Sequence, residues 1–277
     1  MAETDDHPTG PDAPTTPLWR PWTFLGRLSK AVREQNWVAV ALEVCIVVLG
    51  VVIGFQITAW GQARADHARE RGYLERVHED LLADTGALDA RIAYYAGVTG
   101  FAEAAVAHVE TGALRDGSPW ATVVAYYHAS QILPYASTRR TFDEMREAGD
   151  LRLVRDAALR AELGAYYNDT EVSQGGWLLQ EVPAYRERVR GLTSLQVQRY
   201  VNASCSTFEG FDQVLTDCPA PISDTEARAL LDRYRAAPGL AEDLRYWAST
   251  LGIVAVVLPI NRAAAEALIA RVAPPSP

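Results

Sequence analysis

Most enzyme chemistry is assembled from histidine, cysteine, lysine or converging carboxylates, and this chain of 277 residues offers few of them in useful spacings. Its five histidines are His7, His67, His78, His108 and His128. His67 and His78 fall on one helical face but stand about 16 Å apart by helical rise, too far to share a metal ion. Lys30 is the only lysine. That excludes Schiff-base chemistry and a phosphate-loop lysine from everything after it. No His-Glu-x-x-His, Cys-x-x-Cys or Gly-x-Ser-x-Gly occurs. Asp143 and Glu144 beside Arg139 and Arg140 are explained by capping and salt bridging at a helix start. The expectation is a protein that is not an enzyme, with no metal and no cofactor.

Two other sets of residues stand out. Glu43 lies inside the apolar run "WVAVALEVCIVVLGVVIGFQITAW", residues 37–60, with Gly50 and Gly54 after it. Gly-x-x-x-Gly lets a second helix approach closely in lipid. Glu43 precedes Gly50 by two helical turns, so carboxylate and notch share a stripe. Such a carboxylate can pair with a polar group on a partner helix, sit protonated or locally hydrated, or serve a proton path. The second set is the tyrosine pairs Tyr94–Tyr95, Tyr126–Tyr127 and Tyr166–Tyr167. Neighbouring helical residues point about 100° apart. One ring of each pair can enter the core while the other lines an aromatic pocket between helices; plain core packing is the competing reading.

These residues have to be held by something, and the apolar run sets the frame. Its 24 residues span about 36 Å as a helix, enough for a hydrocarbon core of about 30 Å. Trp37 and Trp60 suit the two interfaces. The run begins after 36 residues and is too long for a cleaved signal peptide, so it reads as an uncleaved signal anchor in a lipid bilayer. Ahead of it, residues 18–36 place Trp22, Leu25, Leu28 and Val32 at helical spacing, with Arg27, Lys30 and Arg33 on other faces. That is the pattern of an amphipathic interfacial helix. Residues 1–17, rich in Pro, Thr and Asp, read as a disordered acidic tail.

Charge decides partners and leaves orientation open. The net charge of -9 leaves no basic face to displace counterions from phosphates, so nucleic acid is not expected as a partner. Arginines lie on both sides of the span, and the positive-inside count is a draw. Cys205 and Cys218 bracket the polar stretch "SCSTFEGFDQVLTDCP". They read as a disulfide or as two unpaired thiols; the disulfide requires an oxidising compartment. On that reading the N-terminus is cytoplasmic and the C-terminal domain periplasmic, in a single-pass protein of a bacterial inner membrane.

Residues 61–277 read as an external helical domain. Leu74, Val77, Leu81, Leu88, Ile92 and Tyr95 follow helical spacing without a proline. Further helices are marked by Pro119 in a first turn, by Thr141 and Glu144 as a capping box closed at Gly149, by Asp156 as a cap, and by the Ser223–Asp224 start ending at Pro238–Gly239. Leu240, Leu244, Trp247, Leu251, Val254 and Leu258 alternate steps of four and three. The segment "LGIVAVVLP" within that last helix is too short for a second span and reads as a buried core helix, which Pro259 is expected to end or kink. No alternating run is long enough to argue for a sheet. The fold class expected is all-α, with Cys205–Cys218 in an irregular excursion.

Two stretches resemble a large uncharacterised family of bacterial single-span membrane proteins. The first is "EVCIVVLGVVIGFQITAWGQARADHARERGYLERVHEDLLAD", in which Glu43, Gly50, Gly54, Gln56, Trp60, Tyr73, Leu74, Asp80 and Leu81 match. The second is "TRRTFDEMREAGDLRLVRDAALRAELGAYYND", through Thr141, Phe142, Glu144, Gly149, Asp150 and Leu151. The resemblance departs at Thr58–Ala59 and does not include the Cys205–Cys218 insertion. It implies an architecture and no activity. The leading functional expectation is a structural or accessory protein that docks through its span and its bundle onto a larger membrane complex or onto itself. The alternative is a periplasmic sensory or small-ligand-binding module.

Overall fold

A computed structural model describes residues 37–172, 182–210 and 212–273. The acidic tail and the amphipathic helix expected over 1–17 and 18–36 lie outside the described residues. Among those described the chain is all-α, with eight helices: α1 (Trp37–Thr111), α2 (Pro119–Ala129), α3 (Arg140–Glu147), α4 (Ala157–Val172), α5 (Ala184–Leu192), α6 (Leu195–Ser204), α7 (Asp224–Ala236) and α8 (Leu240–Val272). Short 3₁₀ turns occupy Arg115–Gly117 and Asp150–Leu153. The chain divides into two units, Met1–Arg64 and Ala65–Pro277, the division falling within α1.

In the first unit, α1 carries the apolar run. An 18-residue window in it has a mean hydropathy of 2.5 and no buried residues, long and apolar enough to cross a membrane.

In the second unit α1 changes character, because its apolar residues narrow to a seam. Val77, Leu81, Asp84, Leu88, Tyr95, Val98, Ala102 and Ala105 are all buried, spaced by three, four or seven. Helix α8 carries a matching seam: Leu240, Leu244, Trp247, Leu251, Val254, Leu258, Asn261, Ala265, Leu268 and Val272, every one buried. Steps of three and four keep one face of a helix on its neighbour. The two helices run antiparallel, since Arg262 pairs with Asp89 and Arg245 with Glu110. One apolar cluster joins Leu88–Ala105 of α1 to α2, α5, α6, α7 and Leu240–Leu258 of α8. A second joins Val77 and Leu81 to α3, α4 and the last turns of α8. Helix α2, "PWATVVAYYHA", buries ten of its eleven residues and is the centre of the first cluster. A helix apolar on all sides has no face to give to water.

Local signals behave as their chemistry dictates. Ser118 caps α2 ahead of Pro119, and Asp156 accepts from the amides of Ala158 and Leu159. Ser223 and Glu226 form a reciprocal capping box on α7. Gly149 adopts φ 72°, a left-handed stop that a side chain would strain.

Three expectations change. Thr141 and Glu144 form no capping box: Arg139 holds the cap position and its side chain caps no helix amide, while the Thr141 amide donates instead to Asp80 of α1. Helix α8 does not stop at Pro259 but continues to Val272. Pro259 is exposed, so the carbonyl one turn back that loses its amide partner faces water. A two-stranded hairpin, β1 (Ser206–Glu209) with β2 (Asp212–Leu215), sits inside the cysteine excursion. Each strand has four residues, "STFE" and "DQVL", too short for alternation to show in sequence. Cys205 and Cys218 close its base at disulfide distance, with Cα atoms 4.9 Å apart.

The division of α8 into an inner and an outer face predicts the energetics of neighbouring substitutions. Leu251→Ala, fully buried, should cost about 2–5 kcal/mol in denaturant unfolding of the detergent-solubilised chain. Ile253→Ala, two residues on and exposed, should cost no more than about 0.5 kcal/mol. Equal losses at both positions would contradict the assignment of faces.

Candidate functional site

Residues 70–84 of α1 and residues 138–155 meet in space. Five contacts join α1 to residues 138–155, and their order is antiparallel. Asp84 accepts from the Thr138 amide. Asp80 accepts from the Thr141 amide at 3.0 Å, Arg76 pairs with Glu144 at 3.0 Å, Tyr73 donates to Asp150 at 3.0 Å, and Glu70 accepts from the Arg155 amide at 2.8 Å. Three carboxylates thus serve backbone amides that a short helix and a 3₁₀ turn leave without intrahelical partners. Between the rungs Leu81 packs with Phe142 and Met145. This is a docking ladder, and its chemistry is positioning.

Asp84 is the exception among the rungs because it is fully buried on the seam of α1. It accepts from Tyr166 Oη at 2.9 Å as well as from Thr138. Burial pushes its carboxyl above the usual range, opposed by the Thr138 and Tyr166 hydrogen bonds that favour the anion.

The six tyrosines singled out in sequence are all buried, and they divide between the two clusters. Tyr95 Oη bridges the carbonyl and amide of Leu133, and burial pushes its pKa up to about 12. Tyr126 meets His108 at 3.0 Å, and Tyr127 donates to Asn202 at 3.0 Å. Tyr166 holds Asp84, while Tyr167 stacks on Phe142 with centroids 4.8 Å apart. Tyr94 lines a cavity of about 330 Å³, between Ala90, Ala93 and Gly97 of α1 and Asp212–Leu215 of β2. His108 and His128 are buried and their pKa values are lowered, chiefly by desolvation. Among the described residues no three His, Cys, Asp or Glu side chains gather to hold a metal.

In the first unit Glu43, Gly50 and Gly54 are exposed along α1, and a Cβ at either glycine would meet nothing within 4 Å. Thr58 bonds back to the Gly54 carbonyl at 3.0 Å.

The larger correction concerns α8. Its apolar middle was expected to be buried, but only 28% of its most apolar window is covered. Tyr246 is 78% exposed and Val256 61%, with Ile253 and Ile260 alongside. Ser249, Ala263 and Ala267 complete a second seam at 246, 249, 253, 256, 260, 263 and 267, again in steps of three and four. Residues 246–261 contain no charge. That is 16 residues, or about 24 Å. The helix as a whole, Leu240–Val272, is nevertheless long and apolar enough to cross a membrane, against the expectation that it is too short for a second span; its most apolar 18-residue window has a mean hydropathy of 1.7. The inner seam shows in the sequence through its leucines. The outer one has the same spacing but mixes Tyr, Ser, Ile, Val and Ala, and so reads as part of one apolar run. Asp84 was also missed, since a single acid on a charged helix carries no mark of burial.

Compared with protein-family models, with curated proteins and with solved structures, the chain matches none.

The pH dependence of stability should report Asp84. Its folded pKa lies above its unfolded value, so the folded state binds the proton more tightly. Stability from this group is present below the ordinary carboxylate pKa and is lost as pH rises from there through the folded value. Asp84→Asn keeps an acceptor for the Thr138 amide, and the Tyr166 hydroxyl can turn to accept. The variant should flatten the fall in stability above pH 4 in denaturant titrations, and an unchanged slope would assign that fall to other groups.

Proposed function

We propose that this chain is a single-span membrane protein that pairs with a second copy of itself, acting as a structural or accessory element. The observation that carries this reading is the bare outer seam of α8. A folded domain seldom leaves a contiguous uncharged stripe in water unless something covers it. The stripe has heptad spacing along a single helix, so it is complementary to its own copy across a two-fold axis. Small residues at Ser249, Gly252, Ala263 and Ala267 permit close approach.

Size bears on how such a pair would hold. A stripe about 30 Å long and about 10 Å wide offers on the order of 300 Å², well under the roughly 800 Å² per partner of a stable soluble complex. The Glu43, Gly50 and Gly54 stripe supplies a second self-matching surface in the span. Confinement in one membrane raises the effective concentration of each surface for its copy. The resemblance to bacterial single-span proteins supports a signal anchor in the inner membrane, with residues 1–36 cytoplasmic and the helical domain periplasmic. The Cys205–Cys218 pair supports that orientation, since an oxidising compartment keeps it closed.

Cross-linking in native membranes tests the pairing. With Cys45 replaced by serine, Val256→Cys should form an oxidant-dependent product of twice the chain mass, while Asp224→Cys, on α7, should not. A Val256→Cys chain that stays at its own mass, or that joins a protein of another mass, would contradict self-pairing. The second result would mark a larger complex as the occupant.

A further inference from the structure

Arg186 and Arg190 stand one turn apart on α5, both half-buried. Their guanidinium groups converge on one atom: Arg186 Nη1 donates to Gln131 Oε1 at 3.0 Å and Arg190 Nη2 to the same oxygen at 3.1 Å. Arg186 Nη1 also reaches the Ser130 carbonyl at 2.7 Å, and Arg190 lies 4.5 Å over the ring of Tyr127. Among the described residues no carboxylate pairs with either side chain. Desolvation lowers the pKa of both, and Arg190 lowers that of Arg186 further; what opposes this comes from Tyr127 and Tyr94 rather than from an acid. Most other partly buried arginines here have an acid: Arg91 has Asp212, Arg115 has Asp217, Arg139 has Asp143 and Arg262 has Asp89.

Helix capping does not absorb this pair. The carbonyl end of α2 amounts to about half a negative charge and attracts one cation. Arg186 satisfies it with one nitrogen, which leaves its Nε–Nη2 edge without an acceptor among the described residues. That edge is the fork that grips a carboxylate or phosphate with two parallel bonds. Arg190 Nε is buried and also lacks a partner. In a chain of net charge -9, these two cations with free donors have no anion among the described residues.

We propose that Arg186, Arg190 and Gln131 form a binding site for an oxyanion, a carboxylate or phosphate group. Gln131 holds the two forks in place, the Nε–Nη2 edge of Arg186 takes two oxygens, and Arg190 supplies the second charge. The aromatic face of Tyr127 fixes Arg190 in orientation. This inference stands apart from self-pairing, because no residue of the site lies on α8 or in the span.

The test is thermal unfolding of the full chain in detergent, titrated with inorganic phosphate and separately with succinate, with chloride holding ionic strength constant. A saturable rise in Tm with either anion is expected. Arg186→Gln and Arg190→Gln should weaken the apparent affinity at least tenfold. Arg190→Lys keeps the charge but loses the fork; it should also weaken binding and serves if a glutamine variant does not fold. Arg91→Gln, removing a cation already paired with Asp212, should leave affinity unchanged. A second arm uses nanodiscs of phosphatidylglycerol against phosphatidylcholine. A stabilisation by phosphatidylglycerol that Arg190→Gln abolishes would name a lipid headgroup as the source of the oxyanion. No saturable response to either soluble anion or to phosphatidylglycerol, or an equal response from Arg190→Gln, would overturn the proposal.

Discussion

The helical domain depends on the carboxylates that α1 offers to the backbone of residues 138–155. Helix α3 has eight residues and the turn after it four, too few to hold themselves in water. Glu70, Asp80 and Asp84 accept their amides in order, and Arg76 and Tyr73 fill the intervals. With those amides satisfied, Phe142 and Met145 are held against Leu81, and the second cluster closes on the last turns of α8. Removing an acceptor would leave a donor unpaired, at a cost of about 1–3 kcal/mol where it is buried. Residues 70–84 and 138–155 are therefore two halves of one contact.

Much of the architecture was legible because its signals are local. Pro119, Asp156, the Ser223–Asp224 start and Gly149 each act within a turn of their own position. The inner seam of α8 was legible because leucine and tryptophan recur at one spacing. What stayed hidden needs a partner far along the chain. Asp80 was unreadable as the cap of α3 because 61 residues separate it from Thr141. Glu144 looked like the distal half of a capping box, yet it answers Arg76 across 68 residues. The tyrosine pairs gave no hint that their hydroxyls bond to Leu133, Asn202 and Asp84. Arg186 and Arg190 look like ordinary helix charges until it becomes visible that none of the described residues sets an acid beside them.

Helix α8 carries two seams of the same spacing, one buried and one exposed. Its inner seam closes both apolar clusters, and its outer seam repeats the spacing without charge. Core packing accounts for the first and leaves the second unexplained. A partner copy, as proposed, would cover it through the same steps of three and four. The glycine stripe of α1 has the same property of matching itself, and the proposed anchoring would confine both surfaces to one membrane.

Particle mass tests self-association most directly. The chain would be extracted from its native membrane in mild detergent and weighed by native mass spectrometry after micelle removal. The account predicts a particle of two identical chains. A single chain, or a stoichiometric assembly with a different protein, would contradict it.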